Sequence, residues 1–328
     1  MKAIVCEKYG SPDVLELREV AKPAPGDDEV LVKVQAVSIN DWDWGLLQGS
    51  ALIDRLLFGF LKPRHTILGS DIAGRIESVG KNVTQFRPGD EVFGDLSGRW
   101  GGFAEYVCAP PSALVLKPPG MSFVEAASIP QAAALAMQGL RDIGDIQQGD
   151  KVLINGAGGG VGTFAIQLAK LYGAEVTGVD SPAKLDFMRS LGFDKVIDYT
   201  RQHFTRNGTG YDLILDVKTN RSPFDYARAL NPGGRYVTVG GSMARLLQVM
   251  LLGRLIRMTR KKSMRLVVLK PNKDLADLNA LFETGKVKPV LDKLRTLSGV
   301  PEAMRYFGAG EHKGKVVVSL DLGMHPAP

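Results

Sequence analysis

Apolar and polar positions alternate through the first third of the chain. "EVLVKVQAVSI" at 29–39 sets the pattern, and "RIESVG", "DEVFGD", "GFAEYVCAP" and "ALVLKPPG" follow as short runs separated by turn signals such as "RPGD". Such patterning, with Gly, Pro and Asp between the runs, predicts short strands in a mainly antiparallel β unit. The pattern changes after "KPPG" at Lys117–Gly120, and from Phe123 the spacing turns helical in "FVEAASIPQAAALAMQGLRDI". Strand and helix patterns then take turns. "KVLIN" is apolar without alternation, as expected of a strand buried on both faces. "EVTGV", "KVIDY", "YDLILDV" and "GRYVTVG" come next with helical stretches between them, and "RLVVL" offers a last strand. This order predicts βαβ units wound into a parallel sheet. The expected fold class is therefore α/β, with an antiparallel β domain over 1–122 and a doubly wound parallel-sheet domain over 123–268. The tail, 269–328, carries a helix in "DLADLNALFETGKV" and a strand in "GKVVVSL" that return to the first domain.

Between "KVLIN" and the helix "TFAIQLAKLYG" lies "GAGGGVG", Gly156–Gly162. A dinucleotide site needs glycine here for a tight turn, for approach of backbone N–H groups to a pyrophosphate, and for close packing of helix on strand. The helix N-terminus then stabilises the phosphates through its free N–H groups and dipole. In frame the loop reads A-x-G-x-x-G from Ala157, with Gly159 and Gly162 in the later glycine positions. Gly158, Gly159, Gly160, Val161 and Gly162 are the candidate phosphate cradle. Gly240 and Gly241, at the end of "GRYVTVG" and just past it, are further candidate cofactor contacts.

Bulk properties narrow the class. The chain has 328 residues, is 45% hydrophobic and 23% charged, and carries a formal charge of +6. The excess of cations is spread along most of the sequence and favours anionic ligands. No zinc finger, RNP-like aromatic motif or long basic block argues for nucleic acid. Cys6 and Cys108 are the only cysteines, which is no disulfide framework and makes a reducing cytoplasm the default. The opening "MKAIVCEKYG" does not read as a signal peptide, and no apolar stretch of about 18 residues is present to span a membrane.

Taken together, "INGAGGGVGTFAIQLAK", "LGSDIAGRIESVG", "PGDEVFG", "GGFAEYV", "VIDY" and "KGKVVV" resemble the medium-chain dehydrogenase/reductase superfamily. The match is to its zinc-free quinone oxidoreductase branch, the zeta-crystallin-like proteins, and spans nearly the whole chain. The resemblance implies a GroES-like catalytic domain, an inserted Rossmann domain, a cleft between them and a homodimer or tetramer. It also places Asn40 and Asp43 at positions that face the nicotinamide and substrate. A plainer role for Asn40 is to cap a helix starting "DWDWGLL". Where zinc-binding relatives carry a Cys and a His–Glu pair, this chain has Asn40 and Ser70–Asp71, and its four histidines (His65, His203, His312, His325) are scattered. No metal is expected. Hydride addition to an already activated acceptor, a quinone or an enone, needs no Lewis acid, since the nicotinamide carries the hard chemistry.

Three departures stand out. Ala133–Leu135 reads "AAL" where relatives have a threonine-containing stretch, which predicts an apolar acceptor pocket. Lys218 replaces a small or neutral residue. It either reaches the cofactor or is simply solvated. The third concerns the nucleotide. Asp180 lies 18 residues beyond Gly162, near where an acid holds an unphosphorylated ribose, which favours NAD(H). Against it, Ser181–Pro182 reads as a helix start with Lys184 in the first turn, where a bound phosphate would relieve the cation. Ser181, Lys184 and Tyr199 also match residues that hold the 2′-phosphate in NADPH-using relatives, and Asp180 sits where those relatives carry a small residue. The expected cofactor is NADP(H), with NAD(H) as the other option and the Asp180 carboxylate turned away.

One stretch fits none of this. "SMARLLQVMLLGRLIRMTRKKSMR" mixes aliphatics with Arg254, Arg257 and Lys261 on one helical face. It could cover the acceptor pocket, form a dimer surface, make peripheral contact with an anionic membrane, or be a partly buried helix with solvated arginines. The leading expectation is an NADPH-dependent, zinc-independent oxidoreductase acting on a small hydrophobic acceptor. Its alternative is a dinucleotide-binding protein with little turnover, serving structurally or at a membrane surface.

Overall fold

Alternating runs become antiparallel strands, and continuous apolar runs become parallel ones. The computed structural model describes residues 1–49, 55–56 and 59–320. Strands β1 (Lys2–Cys6), β2 (Leu15–Glu19), β3 (Val30–Ser38), β4 (Asp71–Val79), β5 (Glu91–Asp95), β6 (Tyr106–Ala109) and β7 (Val115–Leu116) come first. Strands β8 (Lys151–Asn155), β9 (Glu175–Asp180), β10 (Lys195–Asp198), β11 (Tyr211–Asp216), β12 (Leu230–Thr238) and β13 (Ser263–Leu266) follow, and β14 (Val317–Ser319) is last. The chain divides into two units. One holds Met1–Gln131, Pro271–Glu283 and the chain from Leu291 onward; the other holds Ala132–Lys270 with Thr284–Val290.

In the first unit the sheet order is β14-β3-β4-β5-β7, with β6 also on β3 and a separate β1–β2 pair. Every pairing in that sheet is antiparallel. Val30, Val32, Val34 and Val37 of β3, Ile72 and Ile76 of β4 and Val92 of β5 form its core. Each buried aliphatic side chain of this kind contributes about 1.5–3 kcal/mol. Pro130 interrupts the helical stretch that follows. The chain forms a short helix over Phe123–Ser128, restarts at Pro130–Met137 and widens into a π-type turn over Gln138–Ile143. Proline lacks the N–H that would continue the first helix but suits the first position of the second.

The second unit is a six-stranded parallel sheet ordered β10-β9-β8-β11-β12-β13. Strand order reverses between β8 and β11. In open sheets of this kind ligands bind outside the carboxyl ends of the strands at that reversal. The residues standing there are Asn155, which ends β8, and Asp216, which ends β11.

Candidate functional site

In each unit the fold brings polar residues together. In the first, strand register does the work. Strand β14 pairs with β3 through Val317↔Ser38, and two residues beyond the strand ends the same register sets Lys315 opposite Asn40. The Lys315 Nζ donates to Asn40 Oδ1 at 2.5 Å and to the Ile39 carbonyl at 3.4 Å, and lies 3.9 Å from Asp71 Oδ2. Register also aligns Asp71 of β4 with Ser38 of β3 and Asp95 of β5. Asn40 Nδ2 reaches Ser70 Oγ at 3.4 Å, and the Gln131 N–H donates to Asp71 Oδ2 at 3.1 Å. All of these side chains are buried.

Asn40 does precede a helix, Asp41–Gln48, and its backbone N–H donates to Asp43 Oδ2 at 2.9 Å. The other oxygen, Asp43 Oδ1, accepts from the Gly69 N–H at 2.9 Å. Both oxygens of Asp43 are thus committed to backbone, and the side chain is shut from solvent. It braces Asn40 and the Gly69 turn.

Electrostatics follow from burial. Burial raises Asp43 from its usual 3.8 to about 7, against the pull of its two N–H donors and of Lys315. Burial likewise raises Asp71, with repulsion from Asp95 added, and it raises Asp95. Burial also pushes the Lys315 ammonium down, opposed first by Asp71 and then by Asp43. Fully ionised, three carboxylates would face one ammonium in a dry site, so protons are retained among them. Asp71 Oδ1 and Asp95 Oδ2 accept no hydrogen bond among the described residues.

In the second unit the glycine loop lies between β8 and the helix Gly160–Leu171. Gly156 has φ +88°, a left-handed conformation that favours glycine. Gly162 has no room for more, since an added Cβ would lie 2.4 Å from the Ala157 carbonyl oxygen. Gly159 sits at the helix N-cap, with Gly160, Val161 and Gly162 in the first turn. The loop therefore forms the backbone cradle and helix start that a pyrophosphate requires.

Asp180, at the end of β9, does not turn away from this loop. Its Oδ2 accepts the Gly158 N–H at 2.9 Å and its Oδ1 accepts the Ser181 N–H at 2.8 Å. The Lys184 Nζ lies 3.7 Å from Asp180 Oδ1, and both side chains are buried. The reason is local: a short 3-10 turn over Pro182–Lys184 folds the lysine back toward the strand end. Strand register sets Asp198 beside Asp180, and Tyr199 follows, its N–H 3.4 Å from the Asp180 carbonyl. Asp180, Ser181, Lys184 and Tyr199 thus gather at the ends of β9 and β10.

Gly240 and Gly241 follow β12. The Gly240 carbonyl accepts from Thr238 Oγ1 at 2.7 Å, and a Cβ on Gly241 would meet Thr219 at 2.5 Å. Lys218 is exposed, with its Cγ 3.2 Å from where a Gly156 Cβ would sit, beside the start of the loop. Ala133 and Ala134 are buried on the helix Pro130–Met137.

Several residues here carry no local signal in the sequence. Lys315 was visible only as part of "KGKVVV". Asp216, buried at the reversal, accepts from Asn155 Nδ2 at 2.8 Å, the Thr219 N–H at 2.8 Å and Tyr236 Oη at 2.8 Å. It ties β8, β12 and the loop after β11 together. Burial, with Asp216 next in order, pushes the Tyr236 hydroxyl far above its ordinary range.

A GroES-like antiparallel unit and a parallel sheet bearing a glycine loop together define a dinucleotide-linked oxidoreductase of two-unit build. The chain belongs to the medium-chain dehydrogenase/reductase superfamily, in its quinone oxidoreductase branch. Residues 26–119 match the alcohol dehydrogenase GroES-like domain, and residues 191–318 match the zinc-binding dehydrogenase family. The chain is 34% identical to 2-methylene-furan-3-one reductase of Solanum lycopersicum, covering 100% of this chain and 80% of that protein. It is 33% identical to a chloroplastic NADPH-dependent alkenal/one oxidoreductase of Arabidopsis thaliana, over 97% of this chain and 79% of the other. The quinone oxidoreductase structure from Coxiella burnetii superposes with a TM-score of 0.86 at 28% identity, covering 98% and 99% of the two chains.

The family's zinc does not suit these residues. Asn40 and Ser70 offer neutral oxygen and nitrogen where zinc takes thiolate, imidazole or carboxylate, and the Lys315 ammonium already holds Asn40 Oδ1. Among the described residues no group of three or more His, Cys, Asp or Glu is placed to hold a metal. His65 packs on Trp100 and His312 stacks on Phe307, while His203 bonds Thr205. His325 lies outside the described residues.

Proposed function

We propose that this chain is a zinc-independent, NADPH-dependent oxidoreductase that delivers hydride to a quinone or an α,β-unsaturated carbonyl. The observation that carries the reading is the buried Lys315–Asn40–Asp71 cluster. A fixed protein cation takes the place of a metal there, and an already activated acceptor needs no stronger electrophile. The names of the relatives, reductases of furanones, alkenals and quinones, support the same acceptor class.

The bound nicotinamide supplies the hydride. The backbone of Gly158–Gly162 holds the pyrophosphate, and Ser181, Lys184 and Tyr199 hold the 2′-phosphate. Lys184 neutralises Asp180, so the acid no longer repels that phosphate. Asn40 presents its amide to the acceptor. Asp43 and Lys315 are positioning residues: one grips the Asn40 backbone and the other its side-chain oxygen. Asp71, which burial and the neighbouring Asp95 push up to about 8, can keep a proton beside them to answer charge developing on the reduced acceptor.

Replacing Asn40 with Ala tests this assignment. The expected result is a fall in kcat of about tenfold or more, in the range of lost acid–base or polar catalysis, with NADPH binding little changed. A loss of stability with kcat intact would leave the Asn40 side chain only a structural role, through its bonds to Lys315 and Ser70.

A further inference from the structure

The helix Met243–Arg260 has two unlike faces. Val249, Gly253 and Ile256 are buried. On the opposite side Leu247, Met250, Leu251, Leu255 and Met258 are 49%, 60%, 75%, 48% and 82% exposed. Their spacing of three and four residues makes them one continuous stripe along a helix of about 27 Å. Arg254 and Arg257 stand within and beside that stripe, Arg260 and Lys261 extend the charge at its end, and the helix contains no acidic residue. At its C-terminal end a basic cleft is lined by Gly233, Arg257, Lys261, Lys262, Ser263 and Arg265. Lys262 donates to the Ala227 and Leu230 carbonyls, at 2.7 Å and 2.5 Å, so Arg257, Lys261 and Arg265 supply the cleft's outward charge.

We infer that this face docks on an anionic lipid bilayer, the apolar stripe sinking into the headgroup boundary and the basic cleft meeting lipid phosphates. Charge complementarity selects that occupant. A second copy placed about a two-fold axis would set an acid-free helix against itself and oppose cation to cation. A nucleic acid would meet the cations but leave five large apolar side chains against phosphates. A bilayer satisfies both halves, because Arg and Lys can lay their stems on apolar surface and keep their heads at the phosphates. No described helix is long and apolar enough to cross a membrane, so the contact is peripheral.

The test is co-sedimentation of the full chain with vesicles of phosphatidylcholine alone and of phosphatidylcholine mixed with phosphatidylglycerol. Binding is expected only to the mixed vesicles, falling as salt rises and not competed by soluble glycerol phosphate. The double variants Leu251→Asp/Met258→Asp and Arg254→Glu/Lys261→Glu should each weaken it at least about tenfold. Their melting temperatures should stay near wild type, since the changed side chains are exposed. Absence of binding at low salt, full binding by both variants, or full competition by glycerol phosphate would overturn the proposal. So would dissociation of an oligomer by the Leu251→Asp/Met258→Asp variant, which would give the face to a second copy.

Discussion

Asp43 is the residue on which the buried cluster turns. Both its oxygens accept backbone N–H groups, yet burial holds its carboxyl near 7. The folded state therefore binds this proton more tightly than the unfolded chain, whose carboxyl keeps the usual 3.8. The stabilisation is fully present below about pH 4 and is lost as pH rises through about 7. Asp43→Asn should remove that slope. Its amide cannot accept both N–H donors, so the variant should be less stable at low pH by about 1–3 kcal/mol. The gap should narrow as pH approaches neutrality. Chemical denaturation of both proteins across that range checks this, and parallel curves would contradict it. None of it was legible beforehand. The sequence presented Asp43 as an acid facing the substrate, because "NDWD" shows the capping spacing but not which oxygens the backbone takes.

At the scale of elements, the proposed nucleotide preference rests on the end of β9. The strand, the Pro182 turn and the glycine loop are all local in sequence, and each was readable from its own residues. What could not be read was the direction of two side chains. Asp180 points into the loop, onto the Gly158 N–H, and Lys184 folds back over it. Spacing counts residues along a strand, whereas side-chain direction follows from the twist and the turn that succeeds it. On the proposed function, Lys184 would screen the acid from a 2′-phosphate. Lys184→Ala should leave Asp180 bare and lower the ratio of kcat/KM for NADPH over NADH by about tenfold, or ~1.4 kcal/mol. A wild-type ratio below one that the substitution does not move would assign the site to Asp180 and NADH. The helical spacing that begins at Phe123 runs on through Pro130, but the proline stops one helix and starts the next.

Across the whole molecule, the division into an antiparallel unit and a parallel one was legible because each sheet type imposes its own hydrophobic period. The glycine loop was legible because strand, loop and helix are consecutive. The Asn40–Lys315 contact was not, because its partners are 275 positions apart and meet only through the pairing of β14 with β3. Strand pairing over such distances leaves no mark on local sequence. On the proposed function, that contact sets a protein cation where a metal would act and limits turnover to activated acceptors. The direct measurement is oxidation of NADPH with a panel of quinones, enones and simple alcohol–ketone pairs, before and after exhaustive chelation. The prediction is turnover of quinones or enones that chelation does not reduce, and none with the alcohol–ketone pairs. Activity abolished by chelation and restored by zinc would contradict it.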